Sequence, residues 1–88
     1  MSTPDTITTA VLRTRLEAVR TARGLTPGEA SLRMGHRVSY WRTMTTAANP
    51  RVLTLLRMAA MLEVSPASLF LSEKAWDLLP PLRPFLRP

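Results

Sequence analysis

The sequence predicts an all-α fold, a compact bundle of five helices that contains a helix-turn-helix and is followed by a proline-rich tail. Apolar residues recur three and four positions apart in several segments, which is the period of a helix with one buried face. Glycine, proline and Ser-Pro pairs separate these segments at positions where short helices begin and end. No segment alternates apolar and polar residues in the way a half-buried strand does.

The length of 88 residues fits one domain. We expect a mobile N-terminus at residues 1–8, the helical domain at 9–71, and an apolar, proline-rich tail at 72–88. The chain has no cysteine, which excludes disulfides. Its N-terminus lacks the pattern of a signal peptide, and no apolar run approaches the roughly 20 residues that span a bilayer. These features predict a cytoplasmic protein with no membrane partner.

The first predicted helix runs from about Thr9 to Arg23. Leu12, Leu16 and Val19 follow one another at helical spacing and predict its buried stripe. Gly24 comes directly after the last turn, where a residue with positive φ commonly ends a helix.

The second predicted helix has the sharpest local signal in the chain. Thr26 suits the N-cap, Pro27 the first helical position, and Glu29 the third, which completes a capping box. We expect this helix to continue to about Met34. Gly35 then permits the left-handed turn that a short connection to the next helix requires.

The third predicted helix covers about residues 38–46. Trp41 and Met44 lie three positions apart and are expected to face the core. The opposite face is polar and consists of Ser39, Arg42, Thr43 and Thr46. A helix this short depends on tertiary packing.

The fourth and fifth predicted helices complete the bundle. The fourth runs from about Arg51 to Glu63, with an apolar stripe of Val52, Leu55, Leu56, Ala59 and Leu62. The fifth ends near Leu71 and begins with Ser65 as its cap and Pro66 at its first position. In the tail, proline blocks a regular helix after Leu79.

The positive charge is concentrated in one part of the chain. The net charge is +6, and eleven of the twelve basic residues are arginine. Residues 10–58 contain nine arginines against two glutamates, an excess of seven positive charges. Such a domain favours a polyanionic partner, and arginine suits phosphate and guanine because its fork is planar. An ordinary solvated surface is the alternative that charge alone leaves open.

Three stretches together resemble the lambdoid phage repressor and Cro family of helix-turn-helix domains. They read RLEAVRTARGLT at 15–26, EASLRMG at 29–35, and PRVLTL with LEVSPASLF at 50–55 and 62–70. The resemblance covers about Arg15 to Leu71. It implies a compact five-helix bundle, sequence-specific binding to double-stranded DNA as a dimer, and regulation of transcription, with a location at the bacterial nucleoid.

The resemblance also implies which residues touch DNA. The family docks its third helix in the major groove. Its base-contacting positions fall on Arg37, Val38, Ser39, Arg42 and Thr43. Candidates for phosphate contact are Arg20, Arg33, Tyr40, Thr46 and Arg51.

Five positions depart from the family pattern. Pro27 replaces a glutamine that contacts DNA, so one contact is missing. Thr45 replaces an acidic partner of the arginine equivalent to Arg20, which predicts that Arg20 is free. Ala30 and Trp41 exchange the usual large and small core residues, and a core tolerates such an exchange if its volume is kept. Leu32 occupies a position that is usually polar in the family, and it is expected to be an exposed apolar contact for another chain.

The tail has three interpretations. It docks on its own domain, it is an arm exchanged in a homodimer that also uses the fifth helix, or it binds another protein. Five apolar residues argue against a passive linker: Trp76, Leu78, Leu79, Phe85 and Leu86.

The residues predict no enzyme, no cofactor, no metal and no small-molecule substrate. The chain has no cysteine, one histidine, His36, and no pair of carboxylates placed on one face of a cleft, so its residues give no support for catalysis. The alternative function is a protein-interaction module on the same fold, similar to an antirepressor or antitoxin, which uses Leu32 and the tail.

Overall fold

A computed structural model describes residues 7–47 and 49–85. In this part of the chain the structure is all-helical, with no strand, which confirms the predicted fold class. It contains α1 (Thr9–Ala22), α2 (Pro27–Arg33), α3 (Tyr40–Thr45), α4 (Val52–Met61), a 3₁₀ helix (Pro66–Phe70) and α5 (Glu73–Asp77).

The core collects one face of each main helix. The predicted stripe of α1 is buried, and α4 contributes a face at helical spacing. Trp41 is fully buried, as its spacing predicts, and so is Ala30. Both belong to the core, as the predicted exchange of a large and a small core residue requires. The remaining buried apolar residues are Leu25, Leu55, Met58, Ala59, Leu62 and Leu69.

Helices α1, α2 and α4 end in the same backbone motif. In each one, the residue after the C-cap has positive φ, and two backbone N–H groups return to the last turn. Gly24 and Gly35 occupy this position after α1 and α2, both at φ +78°, as the sequence predicts. After α4 the position belongs to Glu63 at φ +57°, although glycine is the residue that adopts this conformation without strain.

The start of α2 follows the predicted capping box. The Glu29 N–H donates to Thr26 Oγ1 at 3.1 Å, and the Thr26 N–H donates to Glu29 Oε1 at 3.0 Å. Pro27 stands at the first position of the helix. Two of the orphan donors at this helix end are therefore satisfied by its own side chains.

The predicted stripe of α4 and the predicted start of α3 need correction. The prediction that Val52 and Leu56 belong to the buried face of α4 is wrong, because they are 72% and 43% exposed. Leu55, Met58, Ala59 and Leu62 already fill that face. Helix α3 begins at Tyr40, two residues later than predicted, since the Tyr40 N–H closes a tight turn onto the Arg37 carbonyl.

The predicted fifth helix is a 3₁₀ helix, and Ser65 makes no side-chain capping bond. The Ser65 carbonyl instead accepts from the backbone N–H and the hydroxyl of Ser68, three residues later. A fifth α-helix, α5, follows in the tail, where no helix is predicted from the sequence; it ends before Leu79, after which proline is expected to block a regular helix. Ser72 caps it by accepting from the Ala75 N–H at 3.2 Å.

The tail docks on its own domain, which is one of its three interpretations. The guanidinium of Arg15 lies over the Trp76 ring, 4.8 Å from its centroid. The Phe85 ring packs against the guanidinium groups of Arg23 and Arg33. The backbone N–H of Phe85 donates to the Arg23 carbonyl at 3.0 Å. Residues 72–85 are therefore part of the bundle. None of the described helices is long and apolar enough to cross a membrane.

Candidate nucleic-acid interface

Helix α3 has six residues, and a buried serine of α2 holds its first turn. Ser39 stands at the N-cap position, yet its side chain makes no capping bond. The hydroxyl of Ser31 accepts from the backbone N–H of Trp41 at 2.8 Å and lies 2.9 Å from the Val38 carbonyl oxygen. Ser31 is fully buried, so this cap fixes α3 against α2 as one rigid unit.

The outward face of α3 is where its periodicity predicts it. Ser39, Arg42, Thr43 and Thr46 are all exposed. Arg37, in the turn before α3, is exposed as well. The Thr46 hydroxyl donates to the Arg42 carbonyl at 2.8 Å, which leaves its lone pairs toward solvent. The predicted base-contacting residues therefore form one accessible surface.

Val38 also reaches this surface, although its spacing did not place it there. It lies in the turn between α2 and α3 and is 61% exposed. A Cβ on Gly28 would lie 3.0 Å from a Val38 methyl group, so a larger residue at position 28 would require Val38 to shift.

Glu17 joins α1 to α3 beneath this surface. Its Oε1 accepts from the indole N–H of Trp41 at 2.8 Å, and its Oε2 accepts from Nε of Arg20 at 3.0 Å. Partial burial opposes the charged carboxylate, but the hydrogen bonds from Arg20 and Trp41 and the charges of Arg20 and Arg42 outweigh it. The pKa of Glu17 is therefore lowered from its ordinary value.

The prediction that Arg20 is free of a partner is wrong. Its guanidinium forms an ion pair with Glu17 and donates to the Leu25 carbonyl. The acidic partner comes from its own helix three residues earlier, so a partner on α3 at the position of Thr45 is not needed. Thr45 is buried and donates to the Trp41 carbonyl at 3.0 Å.

A cleft of about 240 Å³ separates α1 from α3 and opens beside the outward face. Arg13, Arg20 and Arg42 line it together with Glu17 and Thr46. Arg13 was missed as a site residue by the sequence reasoning. The signal was present, because Arg13 and Arg20 are seven residues apart and share one face of α1 off the apolar stripe.

The other predicted phosphate contacts have different surroundings. Arg33 is exposed and stacks on Phe85, 4.7 Å from its centroid. Tyr40 is half-buried and stacks on His36 with ring centroids 3.7 Å apart. Arg51 is exposed immediately before α4. The structure therefore brings Arg42, Thr46 and Arg20 to one cleft and leaves Arg33 against the tail.

Two arginines of the basic segment stabilise the fold. Arg15 is buried, and its guanidinium donates to the Leu69 carbonyl at 3.0 Å and to the Leu71 carbonyl. Arg23 donates to the carbonyls of Leu62, Glu63 and Arg83 at 2.8 to 3.0 Å. Sequence reasoning counted both in the charge excess. Because their donors are used within the fold, these two arginines are poor candidates for contacts with a partner.

The predicted partner-binding residues divide into two groups. Trp76 and Phe85 are held against the domain by arginines. Leu78 and Leu79 are exposed, and so is Leu32 on α2, as predicted. Leu86 lies outside the described residues.

Within residues 7–47 and 49–85, no group of three histidine, aspartate or glutamate side chains is placed to hold a metal ion. Comparison of the chain with family models, with curated protein sequences and with solved structures finds no match in any of the three.

Proposed function

We propose that this chain is a sequence-specific DNA-binding regulator of transcription, related in design to the lambdoid repressor and Cro domains that its sequence resembles. Helix α3 enters the major groove with its outward face toward the base edges. In this proposal the protein works without a cofactor, occupies an operator in the bacterial cytoplasm and blocks polymerase.

The observation that supports this function best is the exposed outward face of α3, held by a buried cap and bordered by arginines. Arg42 extends from this face, and its fork matches the O6 and N7 acceptors of guanine. Ser39 and Thr43 lie beside it and offer hydroxyls to bases or phosphates. One arginine among these side chains predicts modest specificity with a contribution from DNA shape.

The charges around α3 suit a phosphate backbone. Glu17 lines the cleft beside the outward face of α3, and Arg20 and Trp41 already bind its carboxylate. Arg13 and Arg42 line the adjacent cleft, and Arg37 is exposed in the turn before α3. A phosphate at this cleft would therefore meet positive charge from α1 and from α3.

Selection of the full-length protein on a pool of random duplex DNA tests the proposal. A recovered common motif that binds more tightly than random duplex supports it. If a dimer neutralises about 8 phosphates, log affinity falls with log salt at a slope of about −7. Failure to enrich any motif, together with affinity that ignores salt, would contradict it.

We also propose that two copies bind half-sites roughly 34 Å apart, one helical turn of DNA. The described tail residues Trp76 and Phe85 are docked in cis, so the dimer contact is assigned to exposed apolar residues of α4 and the 3₁₀ helix. These are Val52, Leu53, Leu56 and Phe70. Light scattering of the wild type and of Phe70→Ser tests this contact, with Leu78→Ser as a matched exposed control. A monomeric wild type contradicts it.

The alternative function, a protein-interaction module, rests on a separate observation. Leu32 on α2 and Leu78 in the tail are 62% and 77% exposed. Exposed apolar side chains that form a patch can mark a site where another protein binds. A monomer that retards no DNA would favour this alternative.

A further inference from the structure

The structure contains a second cavity, away from the α3 cleft, with a volume of about 410 Å³. It lies between α1, the segment that follows α4, and the docked tail. Ala18 and Ala22 of α1 form one side, and Trp76, Leu79 and Leu82 of the tail form another. Pockets of about 300–1,000 Å³ with mostly apolar linings commonly bind small molecules.

The tail forms one wall of this cavity and is held at two points. At one end Arg15 stacks on Trp76 and binds the Leu69 and Leu71 carbonyls. At the other end Arg23 stacks on Phe85 and binds the Arg83 carbonyl at 2.9 Å. The chain between these points supplies Leu79 and Leu82 to the cavity wall. The cavity is therefore built by the folded tail.

Among the described residues, Glu63 is the one charged residue that lines this cavity. Two features make this position unfavourable for glutamate. It adopts φ +57° at a helix end where α1 and α2 place glycine, and its negative charge lies at the C-terminus of α4, the negative end of the helix dipole. Both effects make glutamate less stabilising at this position than glycine would be.

The surroundings of Glu63 leave its carboxylate for a ligand. Within the described chain no ion pair joins Glu63 to a basic side chain. Arg23 is near, and it directs its donors to backbone carbonyls, including the Glu63 carbonyl at 3.0 Å. Ser65 and Ser68 add the other polar groups of the lining.

We infer that this cavity binds a small apolar molecule that ends in an ammonium group, with the apolar part against α1 and the tail and the ammonium at Glu63. The site is on a different face of α1 from Arg13 and Arg20, so it does not depend on DNA binding. Charge complementarity selects this ligand class over a neutral or anionic one of the same shape.

Titration of the full-length protein with octylamine, octanol and octanoate tests the inference by NMR of the two indole N–H signals. Trp76 lines the cavity and Trp41 is the internal control in the core. Octylamine is expected to shift the Trp76 signal saturably and to bind about fivefold more tightly than octanol. Glu63→Gln is expected to remove that preference.

Two further variants separate binding in the cavity from binding elsewhere. Ala18 is exposed on α1 at the cavity edge, so Ala18→Leu fills the cavity while the domain still folds, and it is expected to abolish the shift. Thr21→Leu adds the same side chain at an exposed position outside the lining and should leave binding unchanged. Equal affinity for all three probes, or no saturable shift of Trp76, overturns the inference. A Trp76 signal that moves with protein concentration alone also overturns it, because a second copy would then occupy the cavity.

Discussion

At the residue scale, Glu17 connects the fold to the proposed interface. It accepts a hydrogen bond from the Trp41 indole and another from Arg20, so one carboxylate orients a core side chain and a cleft arginine. The sequence offers no sign of the Trp41 contact, because residues 24 positions apart meet only through the packing of α1 against α3. The contact with Arg20 is local, and the spacing of three residues within a helix makes it foreseeable.

Glu17→Gln is expected to lower stability at neutral pH and to have little effect in acid. The folded-state pKa of Glu17 lies below its ordinary value of 4.5, so its contribution is present above that pH and is lost as pH falls through the folded pKa. Denaturation by urea across this pH range measures the difference between wild type and variant. A difference that stays constant from neutral pH into acid would contradict the assignment.

Glu63→Gly is expected to raise the free energy of unfolding by about 1 kcal/mol, because glycine adopts positive φ without strain and removes a charge from the negative end of a helix. Glu63→Ala is the control, since it removes the charge and keeps the Cβ. Urea titration of both variants measures the effect. A glycine variant less stable than the alanine variant would contradict the explanation.

At the element scale, α3 takes its first-turn cap from another helix. Local capping signals predict the start of α2 correctly, because Thr26 and Glu29 are neighbours in sequence. At α3 the residue in the N-cap position, Ser39, makes no capping bond, and Ser31 of α2 supplies the hydrogen bond to the first turn. A cap supplied across a turn depends on tertiary geometry, so the pattern of residues alone could not reveal it.

Ser31→Ala is expected to destabilise the domain by about 1–3 kcal/mol, since it leaves the Trp41 N–H buried without its acceptor. The exposed Ser39→Ala is expected to change stability by no more than about 0.5 kcal/mol. Thermal or urea denaturation of the two variants compares the caps. A larger loss for Ser39→Ala would show that α3 is capped locally.

The tail is the second element that sequence patterns describe only in part. Its apolar residues indicate a docked or exchanged segment, and its prolines predict the irregular end. Helix α5 could not be predicted because five residues are too few to show a helical period. The residues on which the tail docks could not be predicted either, since Arg15 and Arg23 have the sequence pattern of surface charges.

Trp76→Ala is expected to cost about 1–2 kcal/mol of stability, because the half-buried ring packs against the core and under Arg15. Leu78→Ala, at an exposed position beside it, should stay within about 0.5 kcal/mol of the wild type. Urea denaturation measures both. Equal effects would mean that the tail is not docked as the structure has it.

At the scale of the whole molecule, the fold class and most helices are predictable because amphipathic spacing, glycine ends and a capping box agree with one another. The interface is less predictable. The periodicity of α3 places its outward face correctly. The arginine count overstates how many arginines are available to DNA, because Arg15, Arg20 and Arg23 bind groups of the protein itself. What remains available around α3 is Arg13, Arg37 and Arg42.

The most direct test of DNA recognition compares Arg42→Ala with Arg83→Ala, which removes another exposed arginine, from the tail. Fluorescence anisotropy at fixed salt measures the affinity of each variant for a selected duplex and for random duplex. If Arg42 forks onto a base, Arg42→Ala reduces the ratio of the two affinities by about tenfold or more, and Arg83→Ala leaves the ratio unchanged. Equal losses on both duplexes for Arg42→Ala, or no binding of the wild type to either duplex, would contradict recognition by α3.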